Sequence, residues 1–261
     1  MNTTNEPIPL PHESEGSLRA GYGNEYTEWK DWSAEAFGTL STREEADISA
    51  QFNAAKTPFP PGTLALDIGF GNGRLLGYGA KRHWQMHGTE LNEGLVERAR
   101  KSGFDAVYSE DLSPFPDSSF NLVVAFDVME HIPQDQILGF LAQVQRVLLD
   151  GGVFLARFPN GDSPFGLQIQ NGDPTHLTFI GSMRAEYFAN KAGMEIVYLG
   201  GEKVPLRAGF PHTAHRLLAI PIRGLMNTFL NLLFCPRDPK AFCSVNLVMI
   251  LRAHKSNATT G

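Results

Sequence analysis

The sequence of 261 residues predicts an α/β fold, a doubly wound and mostly parallel sheet with helices on both faces. Three observations carry that expectation. From Thr63 onward, short apolar runs alternate with helix-like segments, as stacked βαβ units require. The runs are apolar at nearly every position, which fits strands covered on both faces. The first run, "LALDIG", ends in a turn with glycine at every second position: Gly69, Gly71 and Gly73.

In chain order, strands are expected at "LALDIG", "QMHGTEL", "DAVYSEDL", "FNLVVAFDVME", "GGVFLARFP", "EIVYLG" and "SVNLVMILRA". Helices are expected at "GRLLGYGAKR", "NEGLVERARKSG" and "QDQILGFLAQVQRVLLDGG". In the last, Ile137, Leu138, Leu141, Val144, Val147 and Leu148 recur at helical spacing and a glycine pair is expected to stop the helix. Residues 159–181 read as a turn-rich loop and residues 182–192 as a further helix. Residues 1–18 are polar and proline-bearing, so they read as a flexible tail, leaving 19–261 as a single domain. Tyr22, Tyr26, Trp29 and Trp32 recur at spacings of three and four, which suggests a helical turn with a core-facing aromatic stripe.

Lys and Arg number 22 against 28 Asp and Glu, a formal charge of −6. That balance does not favour a non-specific grip on phosphates, so small molecules are the expected partners and nucleic acid is not. Cys235 and Cys243 lack the spacing of a zinc knuckle or a redox dithiol and read as reduced thiols. The N-terminal stretch has no basic start and apolar core, so no secretory signal is expected and the cytoplasm is the expected compartment.

Ligands of open parallel sheets bind beyond the carboxyl ends of the strands, and the first βα turn usually meets them. Glycine there allows close backbone approach, and the following helix offers unpaired N–H groups. A dinucleotide fingerprint would read G-x-G-x-x-G, but Arg74 stands at the third-glycine position, which disfavours a nicotinamide oxidoreductase.

The D-x-G-x-G-x-G turn is followed in order by "HGTELNEGLVERAR", "SEDLSPFPDSSFNLVVAFDVMEHI" and "RVLLDGGVFLARFP". Over residues 63–158 the chain resembles the class I S-adenosylmethionine-dependent methyltransferases. The resemblance implies a Rossmann-like sheet of seven strands, the last antiparallel, here with a helical insertion before it. It implies S-adenosylmethionine as cofactor and S-adenosylhomocysteine as product. Asp67, Gly69, Phe70, Gly71, Asn72 and Gly73 would surround the methionine part. Glu90 and Leu91 would meet the ribose, Asp111 and Leu112 the adenine, and Phe126 would lie beside the methyl group. Asn121 stands where the family commonly has aspartate, and is read as a local hydrogen-bonding variation. Taken singly, Glu90 and Asp111 are also readable as turn formers or helix caps.

An alcohol or phenol acceptor must lose a proton, which favours a nearby general base. His131, just past strand four, and His176, in "DPTHLTF", are the candidate catalytic residues, although each is also readable as a hydrogen-bonded structural histidine. Asp127, Glu130 and His131 also resemble the acidic, acidic, histidine cluster of ubiquinone-pathway O-methyltransferases, where a divalent cation helps hold the acceptor. The spacing does not compel one shared site, and no metal is expected. The expected function is methylation of an oxygen on a small-molecule or glycan-like acceptor. The alternative is a non-catalytic module that binds the cofactor and acts through protein contacts.

Residues 201–243 exceed what a minimal sheet requires. Within them, "RLLAIPIRGLMNTFLNLLF" (216–234) is the most apolar stretch of the chain, with Arg223, Asn227 and Asn231 forming a narrow polar stripe. Pro221 suits a helix start and Pro236 a stop. The stretch is short, interrupted and charged, so no transmembrane span is expected. It is expected to pack on the sheet domain or on a second subunit, with a peripheral membrane contact as the alternative. His212, His215 and Arg216 read either as acceptor contacts or as solvated loop residues.

Overall fold

The computed structural model describes Lys30 and residues 36–255. The expected tail, its boundary at residue 18 and the aromatic stripe at Tyr22, Tyr26, Trp29 and Trp32 lie outside the described residues. The first helix among the described residues, α1 (Thr42–Ala54), was not expected from apolar spacing, yet its start is written in the sequence as a capping box. Ser41 Oγ accepts from the Glu44 N–H at 3.2 Å, while the Glu44 carboxylate accepts from the Ser41 N–H at 2.8 Å.

The sheet then follows as β1 (Leu64–Ile68), α2 (Arg74–Lys81), β2 (Gln85–Glu90), α3 (Glu93–Lys101), β3 (Asp105–Tyr108) and β4 (Phe120–Phe126). A 3-10 turn, Met129–His131, leads to α4 (Ile137–Val147), β5 (Leu148–Pro159), α5 (Gly166–Gly172) and α6 (Ser182–Lys191). The chain closes with β6 (Glu195–Gly201), α7 (His212–Phe234) and β7 (Asn246–Arg252). The strand order is β3-β2-β1-β4-β5-β7-β6. Only β7 runs antiparallel, between β5 and β6. The strand sequence reverses direction between β1 and β4, which opens a crevice at their carboxyl ends.

Alternation along each strand feeds two cores. Leu66, Val123, Phe154 and Met249 pack on one face, and Ala65, Leu122, Val153 and Val248 on the other. Burying both faces explains why the central strands β1 and β4 are apolar at nearly every position rather than alternating. Asn121 sits in β4, where its Oδ1 accepts from the Leu64 N–H at 3.0 Å, a local tie to β1 of the kind expected.

Three local expectations are corrected. Leu138 is exposed, so the buried stripe of α4 is Ile137, Leu141, Val144 and Val147. Leu148 is not helical: β5 begins there, before Gly151 and Gly152, so the glycine pair does not stop the helix. The segment 159–181 contains α5, whose few buried residues left no helical period to read.

Candidate active site

The crevice holds a cavity of about 940 Å³, within the range of small-molecule sites. The β1–α2 turn forms part of its wall. Gly69, Gly71 and Gly73 have φ of 66°, 51° and 70°, a left-handed backbone that side chains disfavour. A Cβ on Gly69 would lie 2.8 Å from Val128, and one on Gly73 would lie 2.5 Å from the Phe37 ring. Two of the three glycines are therefore required by the protein's own packing as well as by the turn. Gly73 itself does not line the cavity, whereas Asp67, Gly69, Phe70, Gly71 and Asn72 do.

Glu90 ends β2 beside that turn and is 9% exposed. Its Oε2 accepts from the Gly71 N–H at 2.9 Å and its Oε1 from the Leu91 N–H at 2.7 Å. Burial raises its pKa, against the pull of the backbone N–H groups of Gly71, Leu91 and Asn92. Asp67 is buried at the end of β1 with Oδ2 unpartnered among the described residues, and burial together with the Glu90 charge pushes its pKa well above the ordinary carboxylate value. Asn72 Oδ1 is also buried and unpartnered. Acceptors left unsatisfied in a polar cavity are costly, and they suit a cationic or hydrogen-bonding ligand.

Leu91, Asp111, Leu112 and Phe126 line the same cavity. Leu112 is buried, while Asp111 is exposed and caps its own turn, accepting from the Ser113 N–H at 3.0 Å and from Ser113 Oγ at 2.6 Å. Those bonds hold the Asp111 pKa below its ordinary value. Phe126 lies under the Arg157 guanidinium, 4.8 Å from ring centroid to Cζ.

His131 and His176 also line the cavity, with ring centroids 4.6 Å apart in an edge-to-face arrangement. The pairing is built by the loop after α5. Leu177 and Thr178 donate their N–H groups to the Glu130 carbonyl at 2.8 and 2.9 Å, and His131 Nδ1 lies 3.1 Å from the Thr175 carbonyl and 3.0 Å from its hydroxyl. Burial, with the neighbouring His176, lowers the His131 pKa to about 4. Burial also lowers that of His176, opposed by Asp173. Both imidazoles are thus disposed to be neutral near pH 7. Glu130 beneath them is 1% exposed, neither of its carboxylate oxygens has a hydrogen-bond partner among the described residues, and burial raises its pKa well above the ordinary value.

The acidic, acidic, histidine grouping is not assembled as the sequence suggested. Asp127 turns to Arg157, which pairs with it in two contacts and reaches Glu202 at 3.5 Å. His176 stands in its place: Glu130, His131 and His176 each offer a ligand atom, all within 4.8 Å of one another. That is a donor set a divalent cation accepts.

Sequence reasoning missed Arg157 and Asp173. An arginine inside the apolar run "FLARFP" was a signal, because a charge in a strand covered on both faces needs a carboxylate partner. Asp173 accepts from Lys30 Nζ and the Thr175 N–H, both at 2.9 Å. Against its burial, those bonds hold its pKa at about 2. Nothing local in "NGDPTHLTF" announces a partner that lies 143 positions away.

Residues 66–156 match the family model described as a methyltransferase domain. Over those residues, about a third of the chain, it is similar to the class I S-adenosylmethionine-dependent methyltransferases. The chain is 34% identical over 96 residues to a human protein named probable tRNA methyltransferase 9B, an alignment covering 35% of this chain and 20% of the other. It is 31% identical over 126 residues to the 27-O-demethylrifamycin SV methyltransferase of Amycolatopsis mediterranei, covering 44% and 46% respectively. The chain thus spans about a fifth of the first relative's length and under half of the second's. A methyltransferase structure from Archaeoglobus fulgidus superposes with a TM-score of 0.60 at 17% identity, covering 87% of this chain and 98% of the other. The fold is also that of a Haemonchus contortus phosphoethanolamine N-methyltransferase 2 complexed with S-adenosylmethionine (TM-score 0.57, 15% identity, 93% and 61% covered). The human relative's name carries tRNA, which weighs against excluding nucleic acid as acceptor from charge alone.

Proposed function

We propose that the protein moves a methyl group from S-adenosylmethionine to an oxygen of a small-molecule or glycan-like acceptor. The observation that carries the reading is the edge-to-face pair His131 and His176 over the buried Glu130 carboxyl group, in one cavity with the glycine turn. When bound, S-adenosylmethionine supplies a methyl group already activated by its sulfonium. The chain's own residues then have two tasks, positioning and proton removal.

Asp67 and Asn72 supply the acceptors for a cationic amino-acid part, Glu90 keeps lone-pair capacity for a pair of hydroxyls, and Leu112 and Phe126 give apolar walls. His176 takes the acceptor's proton. Its Nε2 lies 3.8 Å from Asp173 and 3.9 Å from Glu130, so a developing imidazolium meets the Asp173 carboxylate beside the Glu130 carboxyl group. His131 orients the ring beside it. The catalytic-module reading separates from the binding-module alternative by turnover. The test is release of S-adenosylhomocysteine with pools of alcohols, phenols, glycans and tRNA. Product with a hydroxyl pool, lost in His176→Gln with cofactor affinity kept, supports the proposal. Product with tRNA alone replaces the acceptor, and none with any pool replaces the enzyme by the binding module.

A further inference from the structure

Helix α7 is built inside out. Three of its polar residues face the body: Arg216 forms a two-pronged pair with Asp47 at 2.7 and 2.9 Å, Asn227 donates to the Lys240 carbonyl at 3.2 Å, and Asn231 both donates to and accepts from Lys240, at 2.8 and 2.6 Å. Its apolar residues face outward. Leu218, Leu225, Phe229, Leu232 and Phe234 are 68%, 74%, 59%, 68% and 71% exposed, and Phe210 just before the helix is 89% exposed. The expected packing onto the sheet domain therefore does not occur, and Pro221 lies inside the helix rather than at its start. By length and composition α7 could cross a bilayer, but the inward polar bonds fix its flank to the body and lay it along the surface.

Charge identifies what covers it. Residues 203–240 carry six Lys and Arg against one Asp, in a chain whose net charge is −6. Arg207, Arg223 and Arg237 are exposed and make no ion pair among the described residues. We infer that α7 is an interfacial helix that seats the protein on an anionic lipid surface, its apolar side in the acyl boundary and its arginines at the headgroups. The acidic remainder of the chain is repelled by the same surface, which fixes one orientation. A second copy of the chain on this face would set the unpaired arginines near one another. The seating also bears on access: Arg43, Asp47 and Glu202 line both the large cavity and the recess at the base of α7, so the cleft opens next to the docked helix.

The test is flotation of the full chain with vesicles of phosphatidylcholine alone or with about a third phosphatidylglycerol, at low salt and at about 0.5 M salt. The expected result is binding to the anionic vesicles at low salt, weakened on neutral vesicles, and reduced about tenfold in the double variant Leu225→Glu, Phe229→Glu. Both side chains are exposed, so the variant is expected to keep its circular dichroism and cofactor affinity. No binding to anionic vesicles overturns the inference. So does a lipid-free dimer in sedimentation velocity that the variant dissociates, which would make a second copy the occupant.

Discussion

Glu90 Oε2 accepts the Gly71 N–H at 2.9 Å, so the carboxylate that ends β2 also pins the turn that follows β1. One side chain thereby couples the shape of the turn to the mouth of the cavity. Glu90→Ala leaves the buried N–H of Gly71 and the part-buried N–H of Leu91 without this acceptor, a cost of about 1–3 kcal/mol. Thermal unfolding is expected to fall accordingly, and calorimetric titration with S-adenosylmethionine to show affinity at least about tenfold weaker. Unchanged affinity would remove Glu90 from the cofactor site while leaving its structural role.

Asp67 gives the opposite sign. Its folded pKa is raised by burial and by Glu90, so its contribution to stability is greatest below its unfolded pKa and is lost as pH rises through the folded value. At pH 7, Asp67→Asn removes that cost and the ligand-free protein is expected to unfold no lower than the parent. Affinity for the cationic cofactor is expected to fall, and calorimetry in buffers of different ionisation enthalpy should show proton release on cofactor binding in the parent alone.

His131 predicts an acid limit. Its pKa is 6.5 when unperturbed and about 4 when folded. A lowered folded pKa means stability that is present above pH 6.5 and lost as pH falls toward 4. Denaturant midpoints measured from pH 7 to 4 should decline, and more shallowly in His131→Gln. A parallel decline in the variant would assign the acid sensitivity to other groups.

Arg157 is the brace of the acceptor side. It pairs with Asp127 and Glu202 with a quarter of its side chain exposed. Arg157→Met leaves Asp127, 47% exposed, and Glu202, 24% exposed, without their cation, and destabilisation of about 1 kcal/mol is expected because solvent screens such pairs. Arg157→Lys restores charge without the planar fork and should recover only part of the loss in chemical denaturation.

Most of the sheet was legible because its signals are local. "LALDIG" through "SVNLVMILRA" are apolar enough to be strands wherever they pack, and the glycine turn demands a left-handed backbone that few other residues supply. The capping box at Ser41 and Glu44 was equally local but stood outside the apolar periodicity used to find helices. Arg157 left a signal as a charge inside an apolar run, but its partners were not legible, nor were Asp173 and the reassignment of Asp127, because each depends on a group brought near by the fold.

By itself, then, the sequence determined the α/β architecture, the strand order's raw material and the turn at Asp67 to Gly73, since propensity, periodicity and backbone sterics act within a few residues. Only tertiary structure decided that His176 rather than Asp127 joins Glu130 and His131, and that α7 turns its apolar side outward. Those outcomes rest on which long-range pair wins: Arg157 takes Asp127, and Asp47 and Lys240 take the polar side of α7. Such competition between distant groups has no signature in the spacing of either segment.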